Sequence, residues 1–384
     1  MRSLEIQRNE RILWGDPMVV MVAIALAGLG LINVYASTGV HAGSAFLSRQ
    51  ATGLALGLVV TLIVTRLPLV WMERLVWVGV VALCILLLLT LLSPLGVMKN
   101  GARRSMNLGA FFLMPAELAK PALLLWTAYF FSLPRSWTRQ DALTFAAGVI
   151  LPLGLIVGTK DLGTPVVLAA GLFTVWFLSG APWRYMVPTL GVGAGIVWVL
   201  IATAGHRLRY VRAWMDPYCS ARPAGGDPVV HRACLDETNA LRQSYQAIAD
   251  GGLFGTPLGG GQGPLHVMEG HNDFIGALVA EQFGLLGLIG VAVLFTILLI
   301  RGLRIAARAP SRFAGLVVSG AASLIFIQAA VHLAVVSGTI PPKGLTLPLV
   351  SAGNSSMLAT ACLIGFILNI ARHQTESVTG EEPR

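Results

Sequence analysis

Charged residues are scarce in this sequence, and their scarcity excludes a soluble globular protein. Asp, Glu, Lys and Arg make up only 12% of the 384 residues, whereas 55% are hydrophobic. Soluble domains carry about 25% charged residues. The mean hydropathy is +0.74, and apolar runs of about 20 residues recur along the chain. Such runs are typical of transmembrane helices and not of the short alternating strands of a β-barrel.

The sequence also lacks the patterns of nucleic-acid and nucleotide binding. The net charge is +9, but the positive residues follow the loops between apolar runs and form no basic-aromatic stripe. Glycines recur in the segment 251–261, yet the Gly-Lys-Ser/Thr ending of a nucleotide P-loop does not follow them. We therefore expect no nucleic-acid partner, and we interpret the glycines as a shaped surface loop.

Cysteine is rare, with four residues in the chain. Cys84 and Cys362 lie within apolar runs, where packing is the simplest role. Cys219 and Cys234 share a long polar loop, so they are candidates for a disulfide if that loop faces an oxidising compartment. The alternative, a metal site, lacks a further Cys or a well-spaced His pair. We favour the disulfide.

The apolar runs predict an all-α integral membrane protein with about ten transmembrane helices. Lys and Arg are concentrated in the short loops on the side of the N-terminus. We therefore expect cytoplasmic tails at 1–16 and 372–384 and a large extracytoplasmic loop at 205–272, between helices seven and eight, within one domain that covers 1–384. The predicted helices lie at 17–37, 48–66, 73–93, 116–133, 142–159, 162–180, 185–204, 273–300, 313–337 and 355–371.

The large loop ends with Glu269-Gly-His271-Asn-Asp273-Phe and continues directly into an apolar helix. A partly desolvated carboxylate at this boundary predicts a general base at the membrane surface. Asp273 could equally cap the helix N-terminus, and the two roles are compatible. Glu269 and His271 could orient Asp273 or contact a substrate, although solvated loop residues are the simpler interpretation.

Two ionisable residues lie just inside the fourth predicted helix. Glu117 and Lys120 are three positions apart and share one helix face, and ionisable groups within a span face a cavity or a partner. A substrate contact and a structural ion pair both remain open. His332, inside the ninth predicted helix, could form a hydrogen bond to a neighbouring helix.

Four cations on the predicted outer side run against the positive-inside bias. Arg103, Arg104, Lys160 and Lys343 would be explained by a diphosphate lipid head group, which needs charged donors. Binding of generic anionic lipid is the alternative. The last predicted helix begins with hydroxyl and amide side chains that suit an anion at a helix N-terminus or serve as an ordinary N-cap: Asn354, Ser355 and Ser356.

Taken together, these segments resemble the SEDS family (shape, elongation, division and sporulation) of bacterial cell-wall glycan polymerases. The likeness covers helices three to ten, and the motifs are closer to the division members of the FtsW type than to the elongation members of the RodA type. The segments that carry it are Gly101-Ala-Arg103-Arg104, Pro115-Ala-Glu117-Leu with Lys120, Asp161-Leu-Gly-Thr164, 243–255, Glu269-Gly-His271-Asn-Asp273-Phe274 and 343–351.

The resemblance implies a peptidoglycan glycosyltransferase that polymerises lipid II at the outer face of the bacterial cytoplasmic membrane. Asp273 would be catalytic, deprotonating the 4-hydroxyl of the N-acetylglucosamine of lipid II. That oxygen would attack the lipid-linked nascent glycan strand and release undecaprenyl diphosphate. The substrate-binding candidates are Glu269, His271, Arg103, Arg104, Glu117, Lys120, Lys160, Asp161, Lys343, Asn354, Ser355 and Ser356.

The resemblance also implies partners and cofactors. A class B penicillin-binding protein would cross-link the strands, and other membrane proteins of the divisome or elongasome would join the complex. A divalent cation, Mg or Mn, is a possible cofactor, and we expect no organic cofactor. This chain departs from the family pattern at Ser105, Lys160, His332, Ala352 and Asn354.

Two other functions compete with glycosyl transfer. A flippase or transporter of lipid II should place its ionisable residues near the bilayer centre, whereas here they lie at the ends of the predicted helices. A non-catalytic scaffold of the division or elongation complex would make Asp273 dispensable.

Overall fold

The structure of the protein is a computed structural model, in which most of the chain consists of long helices. It describes residues 15–38, 45–99, 102–107, 109, 112–134, 136–203, 208, 211–212, 214–220, 228–257 and 272–379.

Eleven long helices follow one another along the described part of the chain. They are α1 Pro17–Thr38, α2 Ala45–Thr65, α3 Leu69–Leu92, α4 Pro115–Ser132, α5 Arg139–Gly158, α6 Gly163–Leu178, α7 Trp183–Ala202, α8 Pro228–Gly251, α9 Ile275–Ala306, α10 Arg312–Val336 and α11 Asn354–Thr379. Ten of them lie at the predicted spans, and α9 and α11 extend beyond their predicted C-terminal ends. The remaining helix, α8, lies within the large polar loop.

Eight of the described helices are long and apolar enough to cross a membrane. α4 and α6 are not among the eight: α4 carries Glu117 and Lys120, and α6 has only 16 residues. The exact count of ten spans therefore stays a prediction, but a multi-pass helical membrane protein is confirmed.

A small antiparallel sheet, which the sequence patterns did not predict, lies between α3 and α4. Its strands are β1 Gly96–Lys99, β2 Ala102–Asn107 and β3 Phe112–Leu113, in the order β1-β2-β3. Val97 pairs with Ser105, and Met106 pairs with Leu113. The sheet holds the two adjacent arginines of β2 at the end of the helices where α4 begins.

α10 and α11 form the centre of the molecule. In their membrane-spanning windows 72% and 83% of the residues are buried, against 11% in α5 and 6% in α7. α10 packs against α4, α6, α9 and α11, and α11 packs against α2. The outer helices expose Leu, Ile, Val and Trp side chains, as a surface in contact with lipid does.

One amide side chain closes the end of α2. Nδ2 of Asn369, in α11, donates to the carbonyl oxygens of Val64 and Leu67 at 2.8 and 2.7 Å. The last carbonyls of a helix have no partner within the helix, so a buried residue on a distant segment supplies one. This contact ties α2 to the central helix α11.

Candidate functional site

Asp273 lies two residues before α9 and is half-buried. Its carboxylate contacts the backbone of Gly344: a Cβ placed on Gly344 would lie 2.5 Å from Oδ2 of Asp273. Glycine is therefore required at 344 for the carboxylate to take this position. The neighbouring Asn272 is held by Ser351, whose hydroxyl donates to the Asn272 carbonyl oxygen at 2.8 Å.

Lys343 lies between Asp273 and the start of α6. Its side chain crosses Gly163, where a Cβ would be 2.8 Å from Lys343 Cε. Asp161 caps the same helix end, because its Oδ1 accepts the Gly163 N–H at 3.0 Å and its Oδ2 accepts the Thr164 hydroxyl at 2.6 Å. The structure thus brings Asp273, Lys343 and Asp161 to one end of the helices.

The two arginines of β2 lie at this same end. Arg104 Nη2 donates to the carbonyl oxygen of Lys160 at 2.8 Å, and Arg103 Nη1 donates to that of Leu91 at 3.2 Å. A guanidinium has several N–H donors, so each arginine can make these bonds and also contact an anion. Lys160 occupies the turn between α5 and α6 with a positive φ of 62°.

Glu117 and Lys120 form a buried ion pair. Nζ of Lys120 lies 2.5 Å from Oε2 of Glu117, and their side chains are 2% and 7% exposed for lysine and glutamate respectively. Lys120 Nζ also donates to Oε1 of Gln328 at 2.6 Å, and Gln328 Nε2 donates to the Thr346 carbonyl oxygen at 2.8 Å. Removing one member of a buried pair leaves an uncompensated charge and costs about 3–5 kcal/mol. The pair therefore has a structural role in joining α4, α10 and the segment before α11.

The hydroxyl and amide groups at the start of α11 contact other parts of the protein. Ser356 accepts a hydrogen bond from the Thr346 hydroxyl at 2.6 Å. Ser355 accepts the N–H of Met114 at 2.8 Å and so joins α11 to the residue before α4. The Asn354 side chain lies against Gly53 of α2, where a Cβ would be 2.7 Å from Asn354 Oδ1.

His332 joins two segments that flank the candidate base. Its Nε2 accepts the N–H of Gly276 at 3.2 Å, and its Nδ1 lies 2.6 Å from the carbonyl oxygen of Leu345. A carbonyl can only accept, so Nδ1 carries the proton and the imidazole is neutral in this arrangement. The N-terminus of α9 is thereby held at a defined distance from the segment of Lys343 and Gly344.

Most of the predicted residues therefore fall into two groups, joined through the segment 343–346. One lies with Asp273 at the same end of the helices, and the other is the buried chain from Glu117 to Ser356. Glu269 and His271 lie outside the described residues. The sequence patterns did not identify Gln328 and Thr346. Gln328 lies four positions before His332, on the same face of α10, and two such polar residues within a span were a usable signal.

The loop that carries the cysteines rests on the segment after α10. Cys219 and Cys234 are joined by a disulfide. Nearby, Trp214 Nε1 donates to the carbonyl oxygen of Gly338 at 2.7 Å. The hydroxyl of Tyr245 also lies against Gly338, and burial, with a smaller contribution from Tyr218, raises the Tyr245 pKa. The loop thus supports the start of the segment that leads to Lys343.

The described part of the chain contains no group of side chains that would bind a divalent cation by themselves. No three His, Cys, Asp or Glu side chains are grouped there as a metal site requires. The described residues therefore do not fit a resident metal ion held by the protein alone.

A comparison with protein families shows to which family the chain belongs. The family model of FtsW, RodA and SpoVE, described as "Cell cycle protein", matches residues 16–376. The chain belongs to the FtsW, RodA and SpoVE family.

Several family members with the name "Probable peptidoglycan glycosyltransferase FtsW" are similar over nearly the whole chain. The protein of Mycobacterium tuberculosis is 32% identical over 371 residues, covering 94% of this chain and 68% of its own length. That of Geobacter metallireducens is 30% identical, with 93% and 94% covered. That of Trichlorobacter lovleyi is 32% identical, with 96% of each chain covered.

Solved structures of the family have the same fold. A chain from a peptidoglycan synthase complex, studied for the coordination of polymerization and crosslinking, superposes with a TM-score of 0.75 at 28% identity, covering 94% of this chain and 98% of that one. The rod shape determining protein RodA of Thermus thermophilus gives a TM-score of 0.69 at 28% identity, with 94% and 97% covered.

Proposed function

We propose that this membrane protein is a peptidoglycan glycosyltransferase that polymerises lipid II into glycan strands and releases undecaprenyl diphosphate. The family relatives carry that enzyme name. The observation in this chain that supports it best is the position of Asp273. Its carboxylate lies against Gly344, the residue after Lys343, at the end of the helix bundle, so a general base and a cation lie at the same end of the molecule.

Asp273 is the general base in this proposal. It takes the proton from the 4-hydroxyl of the acceptor N-acetylglucosamine as that oxygen attacks the anomeric carbon of the lipid-linked strand. The bond between the anomeric carbon and the diphosphate oxygen breaks, and the linkage inverts from α to β. A positioned base contributes about 10²–10⁴-fold to the rate of such a step.

The leaving group is an anion, so its departure needs positive charge. Lys343, Arg103, Arg104 and Lys160 supply that charge as hydrogen-bond donors to the diphosphate, which is the electrostatic contribution that most lowers such barriers. Magnesium or manganese remains a candidate cofactor. Because the described residues do not form a protein-only metal site, no step here depends on a metal ion.

The buried chain of Glu117, Lys120 and Gln328 positions these groups. It fixes Thr346 between α10 and α11, three residues after Lys343. We assign Glu117 and Lys120 to this structural role in addition to their candidate contact with substrate. Glu269 and His271 remain candidate substrate contacts.

The proposed setting is the bacterial cytoplasmic membrane, with Asp273 facing the periplasm or the cell exterior. The proposed partner is a class B penicillin-binding protein, in line with the synthase complex from which a chain with this fold was solved. Further membrane proteins of the divisome or elongasome would complete the assembly.

The decisive experiment compares two aspartate variants on purified protein with its partner and lipid II, with glycan strands separated on a gel. We expect Asp273→Asn to lower the polymerisation rate by about 10²–10⁴-fold. Asp250→Asn is the matched control, because Asp250 is exposed in α8 and should leave the rate unchanged. Polymerisation by Asp273→Asn at the wild-type rate would contradict the mechanism. A flippase would move lipid II across vesicles without forming strands, and a scaffold would keep its function in cells after Asp273→Asn.

A further inference from the structure

α9 is broken at Gly284, where the backbone has φ 68° and ψ −171°. A break frees backbone groups that an intact helix would pair. The turn after α8 supplies their partners. Leu285 N–H donates to the carbonyl oxygen of Gly252 at 2.9 Å, Leu286 N–H donates to that of Leu253 at 3.3 Å, and the Thr256 N–H donates to that of Glu281 at 2.8 Å. The turn is thus hydrogen-bonded to the backbone on both sides of the break.

Glycines make this close contact possible. A Cβ on Gly251 would lie 2.1 Å from the Ala280 carbonyl oxygen, and one on Gly255 would lie 2.2 Å from that of Gln282. A Cβ on Gly284 itself would lie 2.3 Å from the carbonyl oxygen of Leu253. The backbones of the turn and of α9 therefore touch directly, and the turn has a fixed position.

The fixed turn presents two large apolar side chains outward. Leu253 is 60% exposed and Phe254 is 81% exposed. Beside them on α9, Leu285 and Leu286 are 44% and 56% exposed, and Ile289 is 49% exposed. The side chains of the turn thus extend the exposed apolar surface of α9 without interruption.

The length of α9 places the break at the membrane boundary. The part after the break, from Leu285 to Arg304, has about 20 residues and is about 30 Å long at 1.5 Å per residue. The hydrocarbon layer is about 30 Å thick. The far end of this part carries Arg301, which pairs with Asp16, and Arg304, so that end lies at the opposite boundary. Gly284 and the turn docked on it therefore lie where lipid meets water, on the side of Asp273.

We propose that Leu253 and Phe254 form a membrane-interface anchor, inserted among the acyl chains of the leaflet on the side of Asp273. Phe and Leu are side chains that interfacial segments bury at the boundary between head groups and acyl chains, and continuity with the lipid-facing surface of α9 identifies lipid as the occupant. Through its hydrogen bonds to Leu285 and Leu286, the anchor holds the break in α9 at the level of the membrane surface. Residues 275–283 of α9 connect Asp273 to the break at that level.

Spin labels on the full-length protein in proteoliposomes of phosphatidylethanolamine and phosphatidylglycerol test this proposal. Single cysteines replace Phe254, Leu286 and Asp250, in a background where the two unpaired cysteines, Cys84 and Cys362, are changed to alanine. Each site is scored by the collision rate of its nitroxide with oxygen, which concentrates in lipid, and with a water-soluble nickel chelate. We expect the Phe254→Cys label to resemble the Leu286→Cys label, with oxygen collisions several-fold more frequent than nickel collisions.

The Asp250→Cys label is the aqueous control, since Asp250 is exposed on polar α8 only a few residues away. A label at 254 that collides with nickel as often as the label at 250 overturns the proposal, because the side chain then lies in water. A label that collides with neither reagent also overturns it, because protein, a second copy or a partner, then covers the site. Neither measurement requires polymerisation, so the outcome is independent of the proposed enzymatic function.

Discussion

At the scale of single residues, His332 is the side chain whose role the structure defines most closely. It accepts the N–H of Gly276 and donates to the carbonyl oxygen of Leu345, and it is 1% exposed. Both bonds go to the backbone: one to the segment that follows Asp273, and the other to the residue after Gly344. The imidazole therefore acts on the candidate base through the chain segments that carry it, and we regard His332 as a positioning residue.

Substitution of His332 should separate positioning from simple packing. We expect His332→Leu to leave a buried N–H and a buried carbonyl without partners, at about 1–3 kcal/mol each, and to lower kcat by about tenfold or more, because a misplaced reacting group is costly. His332→Asn keeps one acceptor and one donor, so it should recover most of the rate. Melting temperature in detergent and strand synthesis over a range of lipid II concentrations measure the two effects. Equal kcat for His332→Leu and wild type would show that the imidazole does not position the base.

At the scale of elements, the break in α9 divides one apolar run into two parts with different surroundings. Residues 275–282 are all buried, whereas large side chains after Gly284 are exposed. The sequence predicted one helix over 273–300 because apolar residues lie on both sides of Glu281-Gln282 and Gly284, with no turn signal that separates them. A single glycine in such a run is compatible with an unbroken helix. The break depends on the distant turn at 251–256, which supplies its hydrogen bonds.

Two glycines in α9 provide a matched test of this break. We expect Gly284→Ala to destabilise the protein by about 1–3 kcal/mol, because alanine at positive φ is strained and its Cβ would collide with the Leu253 carbonyl. Gly290→Ala has open space around the added carbon, and alanine is the better helix former by up to about 1 kcal/mol. It should leave stability equal or higher. Thermal unfolding in detergent compares the pair, and equal melting temperatures would show that the break is not required.

Across the whole molecule, Asp273 lies at the end of the bundle opposite Arg301 and Arg304, because the two parts of α9 join these ends. The excess of Lys and Arg in the short loops predicts that the arginine end is cytoplasmic. The disulfide between Cys219 and Cys234 is compatible with an oxidising compartment at the other end.

Cysteine labelling in intact cells tests this orientation. Asp250→Cys and Arg308→Cys place exposed thiols at the two ends. We expect a membrane-impermeant maleimide to label Asp250→Cys in intact cells and Arg308→Cys only after the membrane is permeabilised. Cys84 and Cys362 are replaced by alanine in both variants, and the wild-type disulfide is left intact. The reverse pattern of labelling would invert the predicted topology.

The membrane class, the approximate positions of the helices and the polar segments that carry the family motifs were predictable from the sequence alone. These follow from composition and from runs of neighbouring residues, which one sequence displays directly. The folded structure was needed to show that Lys120 contacts Gln328, 208 positions away. It also showed that the carboxylate of Asp273 lies against Gly344 and that the turn at 251–256 supplies the hydrogen bonds of the break in α9. Such contacts depend on how helices pack, and close packing joins residues that no local pattern relates.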